Sequence, residues 1–286
     1  MKHVVIGSAG QLGRAITPLL KGEVIALTRA EGDLTNVTDL RLRLESLRPD
    51  FVINCAAYNL VDRAESDPEA AFAVNAWGVR DLARICESVD ATLVHVSTDY
   101  VFGLDAERVA PWREDSAPGP VSAYGLSKLT GEYWAQLECE KHFVIRTCGL
   151  YGIRGTGGKG GNFVETMLRI AGEGKPLRIV DDQRCTPSFV GDVASAMVQL
   201  IDTGRCGLFH LTNSGHCSWF EFAQEIFRQA GLTPNLTPIP TSGYPLPARR
   251  PAYSVLGREK ANAIGLAPLR VWQEALAEYL RIRVHV

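Results

Sequence analysis

Apolar positions along this chain follow two rhythms. HVVIG (3–7), EVIALT (23–28), FVINCAA (51–57), ATLVHVST (91–98) and HFVIRT (142–147) are short, nearly continuous apolar runs rich in valine and isoleucine. Buried strands of a parallel sheet read this way. Between them lie longer stretches with apolar residues at helical spacing: QLGRAITPLLKG, NVTDLRLRLESLRP, EAAFAVNAWGVRDLARICESV and the helix that carries YGLSK. Strand–helix alternation with right-handed crossovers predicts an α/β fold, a Rossmann-type doubly wound parallel sheet over residues 1–150.

The second half is less regular and predicts a smaller C-terminal α/β lobe over 151–286. The segment 189–202 is expected as a helix that returns to the sheet. NFVETMLRIA (162–171) also reads as a helix, and LRIV and GLFHLT read as strands. SWFEFAQEIFRQAG (218–231) opens on a serine N-cap and closes on a glycine. Residues 233–251 carry six prolines, which predicts an irregular excursion or lid. The glycine-rich RGTGGKGG (154–161) is expected as a loop over the site.

Composition narrows the class. The chain has 286 residues, 46% hydrophobic and 22% charged, with a formal net charge of −2. Such a balance offers no basic field for nucleic acid or an anionic membrane. No apolar run reaches the roughly 20 residues of a membrane helix, and no signal peptide opens the sequence. Seven cysteines, an odd count without CxxC, fit a reduced, cytoplasmic protein with thiols as small core residues. No His, Cys or carboxylate cluster has metal-site spacing, so no metal is expected.

GSAGQLG sets Gly7, Gly10 and Gly13 between the first strand and the first helix. Glycines here permit a tight turn and close passage of a pyrophosphate to the helix N-terminus. The second strand ends at Thr28-Arg29 rather than at an acidic residue. Arg29 either faces a 2′-phosphate, which favours NADPH over NADH, or is a solvated surface residue. Asp33 either contacts adenine or caps the next helix.

YGLSK places Tyr124 and Lys128 four residues apart, on one helix face. A neighbouring ammonium would lower the phenol's pKa, and such a tyrosine beside a reducible carbonyl can donate its proton. STDYVF (97–102), at the end of the fourth strand, offers Ser97 or Thr98 as a hydroxyl partner for the same oxygen.

These segments, with NCAAYNLVDRAE, VNAWGVRDLA, IRTCGLYG, GGNFVETMLRIA, VDDQRCTPSFVGDVA and RRPAYSVLG, run collinearly over nearly the whole chain. In this the sequence resembles the dTDP-4-dehydrorhamnose reductase family, within the extended short-chain dehydrogenases/reductases. The resemblance implies reduction of the C4 keto group of a nucleotide-linked 4-keto-6-deoxy sugar by NADPH, with NADH as the alternative donor. It implies Tyr124 as proton donor, Lys128 as binder of the nicotinamide ribose and Thr98 as the group that orients the carbonyl. Gly10, Gln11 and Leu12 would hold the pyrophosphate, Asp33 and Leu34 would sit near adenine, and Ala56, Ala57 and Tyr58 would line the cofactor. Asp99, Asn162 and the basic Arg249 and Arg250 would lie on the substrate side. A monomer or homodimer is implied. Three departures matter. The family's RTSW is RTCG here, with Cys148 and Gly149, so the tryptophan that shapes the sugar pocket is missing. The acidic metal ligand of some members is Ala15. A dehydratase's Thr-Asp-Glu is Thr-Asp-Tyr (98–100), which disfavours a dehydratase or epimerase. The intact Thr98, Tyr124 and Lys128 set disfavours a non-catalytic regulatory subunit.

Overall fold

Six parallel strands run side by side through the computed structural model, which describes residues 1–153 and 161–283. They are β1 (Lys2–Ile6), β2 (Glu23–Leu27), β3 (Phe51–Asn54), β4 (Thr92–Thr98), β5 (His142–Thr147) and β6 (Gly207–His210), in the order β6-β5-β4-β3-β1-β2. Each central strand is apolar on both faces because helices cover both: Val4, Val5, Ile6, Val52, Ile53, Leu93 and Val94 are all inaccessible. The strand order reverses between β1 and β3, where such sheets bind ligands at their carboxyl ends. The last strand, β6, comes from beyond residue 150. So does the helix Val190–Asp202, which buries Val193, Ala194 and Met197 in the core shared with Leu12 and Ile16.

Two glycines fix how the helix Ala123–Glu138 sits. A Cβ on Gly125 would lie 2.2 Å from the Tyr100 carbonyl oxygen, and one on Gly131 would lie 2.1 Å from that of Asn75. Glycine inside a helix costs roughly 1 kcal/mol against alanine, and here it permits backbone contact on two sides. The neighbouring stretch departs from the single helix its pattern predicts. It runs as Pro68–Phe72, a π turn Ala73–Trp77, then Gly78–Ser88. The π turn carries Asn75, which is buried and hydrogen-bonds the Tyr58 N–H and C=O at 2.9 Å each and the Ser127 hydroxyl at 3.0 Å.

The second lobe is built from three strand pairs: Leu150–Tyr151 with Ser188–Phe189, Leu177–Val180 with Leu236–Ile239, and Arg184–Cys185 with Cys217–Ser218. Its core is aromatic, with Tyr151, Phe189, Phe222 and Tyr279 in mutual ring contact. The helix Trp219–Ala230 begins with a full capping box from Ser218 and Glu221 and ends on the left-handed Gly231. The proline-rich stretch corrects the expectation of an irregular excursion. Leu236–Ile239 is a strand, with Pro238 opposite Ile179. A two-stranded ribbon has only edges, where proline's missing N–H costs no ladder bond. All of the glycine-rich insert except Gly161 lies outside the described residues. No helix among the described residues is long and apolar enough to cross a membrane.

Candidate active site

A cavity of about 430 Å³ opens at the carboxyl ends of β1, β3, β4 and β5, under a wall from the second lobe. Gly10, Gln11, Leu12, Ala57, Thr98, Asp99, Tyr124, Lys128, Asn162 and Arg250 all line it. The chain therefore gathers residues from six separate segments around one space.

The glycine turn forms one end of the cavity. Gly7 has φ +76°, and a Cβ there would sit 2.6 Å from the Ala56 amide nitrogen. A Cβ on Gly13 would sit 2.4 Å from the Gly7 carbonyl oxygen. Both positions exclude a side chain, while Gly10 has no comparable backbone contact and faces the cavity. Gln11 Oε1 and Thr147 Oγ1, on two cavity-lining residues, are buried without a protein partner. Ordered water or the polar groups of a bound ligand would satisfy such atoms. The geometry fits a dinucleotide.

At the second strand's end Asp33 does not cap the next helix. Its carboxylate accepts from the Thr35 N–H at 2.9 Å and the Thr35 hydroxyl at 2.7 Å, and Arg29 lies 3.6 Å away. This is an Asx turn, and the cap of the following helix is Asn36. Arg29 is a largely solvated side chain in this pair. Leu34 is buried beside Gly78. Tyr58 is held through its backbone by Asn75, an organising residue whose one sequence signal was an asparagine inside a helical apolar pattern.

Tyr124 and Lys128 face the same cavity, one turn apart. The Lys128 ammonium donates to the Val96 carbonyl at 2.7 Å and lies 3.4 Å from His95 Nε2. Burial pulls its pKa down to about 8, with Glu132 opposing. His95 is fully buried, hydrogen-bonds Asn54, and is held neutral by burial and by the Lys128 charge. Tyr124 runs against expectation. Burial pushes its phenol up to about 12, while a hydrogen bond to Thr98 partly opposes this. The Asp99 carboxyl beside it pushes the same way as burial, and the Lys128 ammonium is directed at the Val96 carbonyl.

Of the two hydroxyls at the end of β4, the structure aims Thr98 at Tyr124 and Ser97 away from it. Ser97 Oγ donates to Glu132 Oε1 at 2.5 Å. Glu132 is in turn chelated by Arg146 through bonds of 2.9, 3.1 and 2.6 Å. Asn162 is likewise committed. It caps the helix Phe163–Gly172 and donates to the Gly152 carbonyl and the Tyr279 hydroxyl, so its amide group has no free donor for a substrate. Arg250 reaches the cavity wall but is clamped in a bidentate pair by Asp62 at 2.6 and 2.7 Å. Arg249 is exposed. Gly149 adopts φ +54° and lines the cavity, and Cys148 beside it is buried. Gln183, Arg184, Cys185 and Trp219 complete the wall and were not singled out from the sequence.

Comparison with known proteins matches residues 1–284 to the family described as the RmlD substrate binding domain. The chain belongs to that family. It is 40% identical over 96% of its length to the dTDP-4-dehydrorhamnose reductase of Mycolicibacterium smegmatis, of which the match covers 84%. The fold superposes on a dTDP-4-dehydrorhamnose reductase from Clostridium acetobutylicum with TM-score 0.93 and 39% identity, covering both chains completely. It superposes on the Bacillus anthracis dTDP-4-dehydrorhamnose reductase in complex with NADP with TM-score 0.92 and 34% identity over 98% of each chain.

Proposed function

We propose that this protein is an NADPH-dependent reductase of a nucleotide-linked 4-keto-6-deoxy sugar, converting dTDP-4-dehydro-L-rhamnose to dTDP-L-rhamnose. The observation that carries this reading is the convergence of Thr98, Tyr124 and Lys128 on one cavity beside a glycine turn that admits a dinucleotide. NADPH, when bound, supplies the hydride to the sugar's carbonyl carbon. The protein's own groups do the rest. Gly10, Gln11 and Leu12 would receive the pyrophosphate, and Lys128, whose ammonium is fixed by the Val96 carbonyl, would hold the nicotinamide ribose. Tyr124, neutral well beyond physiological pH, arrives with a proton to give to the C4 oxygen. Arg250, steadied by Asp62, lies where a diphosphate passes towards the second lobe. Phe163 and Trp219, 4.8 Å between centroids, give that end an aromatic surface.

The direct test follows NADPH absorbance with purified protein and dTDP-4-dehydro-L-rhamnose. Substrate-dependent oxidation is expected, and its absence with every 4-keto-6-deoxy nucleotide sugar would overturn the reading. The affinity for NADPH should carry a pH signature as well. Lys128 is protonated below about 8 and loses its charge above it. NADPH binding titrated across this range should therefore weaken as pH rises, and a Lys128→Met variant should bind weakly without that dependence.

A further inference from the structure

Asp99 stands directly behind Thr98 and is only 3% exposed, yet it lines the cavity. Its Oδ1 is 3.0 Å from Thr98 Oγ1 and its Oδ2 is 3.0 Å from Cys148 Sγ, and the Ser254 hydroxyl also hydrogen-bonds the carboxyl. All three side-chain partners are neutral. Among the described residues, the cations on the cavity wall are directed elsewhere: Arg250 pairs with Asp62, Arg184 pairs with Glu221, and the Lys128 ammonium donates to the Val96 carbonyl. A buried carboxylate without a cationic partner gains by keeping its proton. Burial indeed raises Asp99 above the usual carboxyl range, against the pull of its hydrogen bonds.

The direction of the Thr98 hydrogen bond follows the state of Asp99. When Asp99 is ionised, the Thr98 hydroxyl must donate back to it, and Tyr124 has in Thr98 only an acceptor. When Asp99 is protonated, its O–H donates to Thr98 Oγ1. Thr98 then donates to the Tyr124 oxygen, and the Tyr124 proton is free for a substrate oxygen. We propose that Asp99 stores the proton consumed in the reduction and passes it through Thr98 to Tyr124. This rests on the reductase reading. As the carbonyl carbon receives hydride, the Tyr124 O–H bond breaks and the sugar's O–H bond forms. The Thr98 proton moves to the Tyr124 oxygen, and the Asp99 proton moves to Thr98. Asp99 is left as a carboxylate, and it recovers a proton from solvent through the cavity it lines.

The other titratable groups facing Asp99 are Tyr100, Tyr124 and Cys148. Tyr100, Tyr124 and Cys148 are all held neutral by burial. Within this cluster the carboxyl is therefore the group that changes charge. Asp99→Asn is the informative variant, because an amide can still donate to Thr98 but has no proton to give up. The experiment measures kcat against pH at saturating NADPH and sugar nucleotide, and then in mixtures of H2O and D2O. Wild type is expected to lose kcat as pH rises through the Asp99 titration, and to show a curved dependence on deuterium fraction from several protons in flight. Asp99→Asn should keep its melting temperature and lose kcat by about tenfold to a hundredfold. It should also lose that limb and give a linear deuterium dependence. Saturating NADPH removes the affinity loss that belongs to Lys128, so the limb present only in wild type is the diagnostic one. A variant within twofold of wild type, with limb and curvature intact, would overturn the relay. If Asp99→Asn fails to fold, Thr98→Val cuts the same path and Thr98→Ser restores it; equal limbs in those two would overturn the relay too. No turnover by wild type would overturn the reductase reading itself, and the relay with it.

Discussion

Replacing Tyr124 by phenylalanine should lower kcat by about 100-fold or more while leaving NADPH affinity and the fold essentially unchanged. A 100-fold loss is about 2.7 kcal/mol of transition-state stabilisation. The expectation follows from how little else the phenol oxygen does. Its hydrogen-bond partner is Thr98, and the ring keeps its edge-on packing against Tyr100 at 5.6 Å in the variant. With its pKa pushed up to about 12, the phenol carries its proton at physiological pH. Its role in reduction is therefore that of an acid, and the lost proton cannot be replaced by phenylalanine. Steady-state rates with the 4-keto sugar nucleotide, together with NADPH titration, separate the two effects. Turnover within tenfold of wild type would mean that another group, or water, protonates the C4 oxygen.

The largest stability effect is expected at Glu132. This carboxylate is fully buried and Arg146 is 3% exposed. Removing one partner of a buried, chelated pair leaves an uncompensated charge and costs about 3–5 kcal/mol. The surroundings of Arg146 cannot absorb that charge. Its guanidinium lies over the Phe102 ring at 5.0 Å, and His210, 3.5 Å away, is kept neutral with its pKa near 3 by burial and by Arg146 itself. Glu132→Ala should thus shift the urea midpoint strongly downward. Glu132→Met combined with Arg146→Met should recover much of the loss, since both charges then leave together. A single-variant loss below about 1 kcal/mol would show that water reaches Arg146 and that the pair is not desolvated. Activity should suffer as well, because Ser97, the neighbour of Thr98, loses the acceptor that holds the end of β4 in place.

Much of this architecture is legible in the sequence because its signals are local. The five apolar runs are five strands of the sheet, Ser218 and Gly231 bound their helix as read, and the glycine turn and YGLSK lie on the same cavity. What escapes the sequence is non-local. Whether Pro238 interrupts a strand depends on whether that strand is an edge, a fact about its partner Leu177–Val180. The phenol of Tyr124 shifts upward because the surrounding fold excludes water, an effect that helical spacing to Lys128 cannot reveal. Asn162 and Asp33 carry side chains suited to ligands, yet their bonds go to Gly152, Tyr279 and Thr35. Glu132 and Arg146 are separated by 14 residues and one crossover, and the sequence hint was only a charge inside each of two apolar elements.

The edge strand β6 also bears on how the chain is made. Residues 142–147 leave the ribosome well before residues 207–210, which must pair with them. At 5–20 residues per second, roughly 3–12 s pass between the two. During that interval β5 presents an unpaired apolar edge, and the face later covered by Val190–Asp202 is bare. The nascent protein should be most exposed to aggregation, and most dependent on chaperones, while the second lobe is being synthesised.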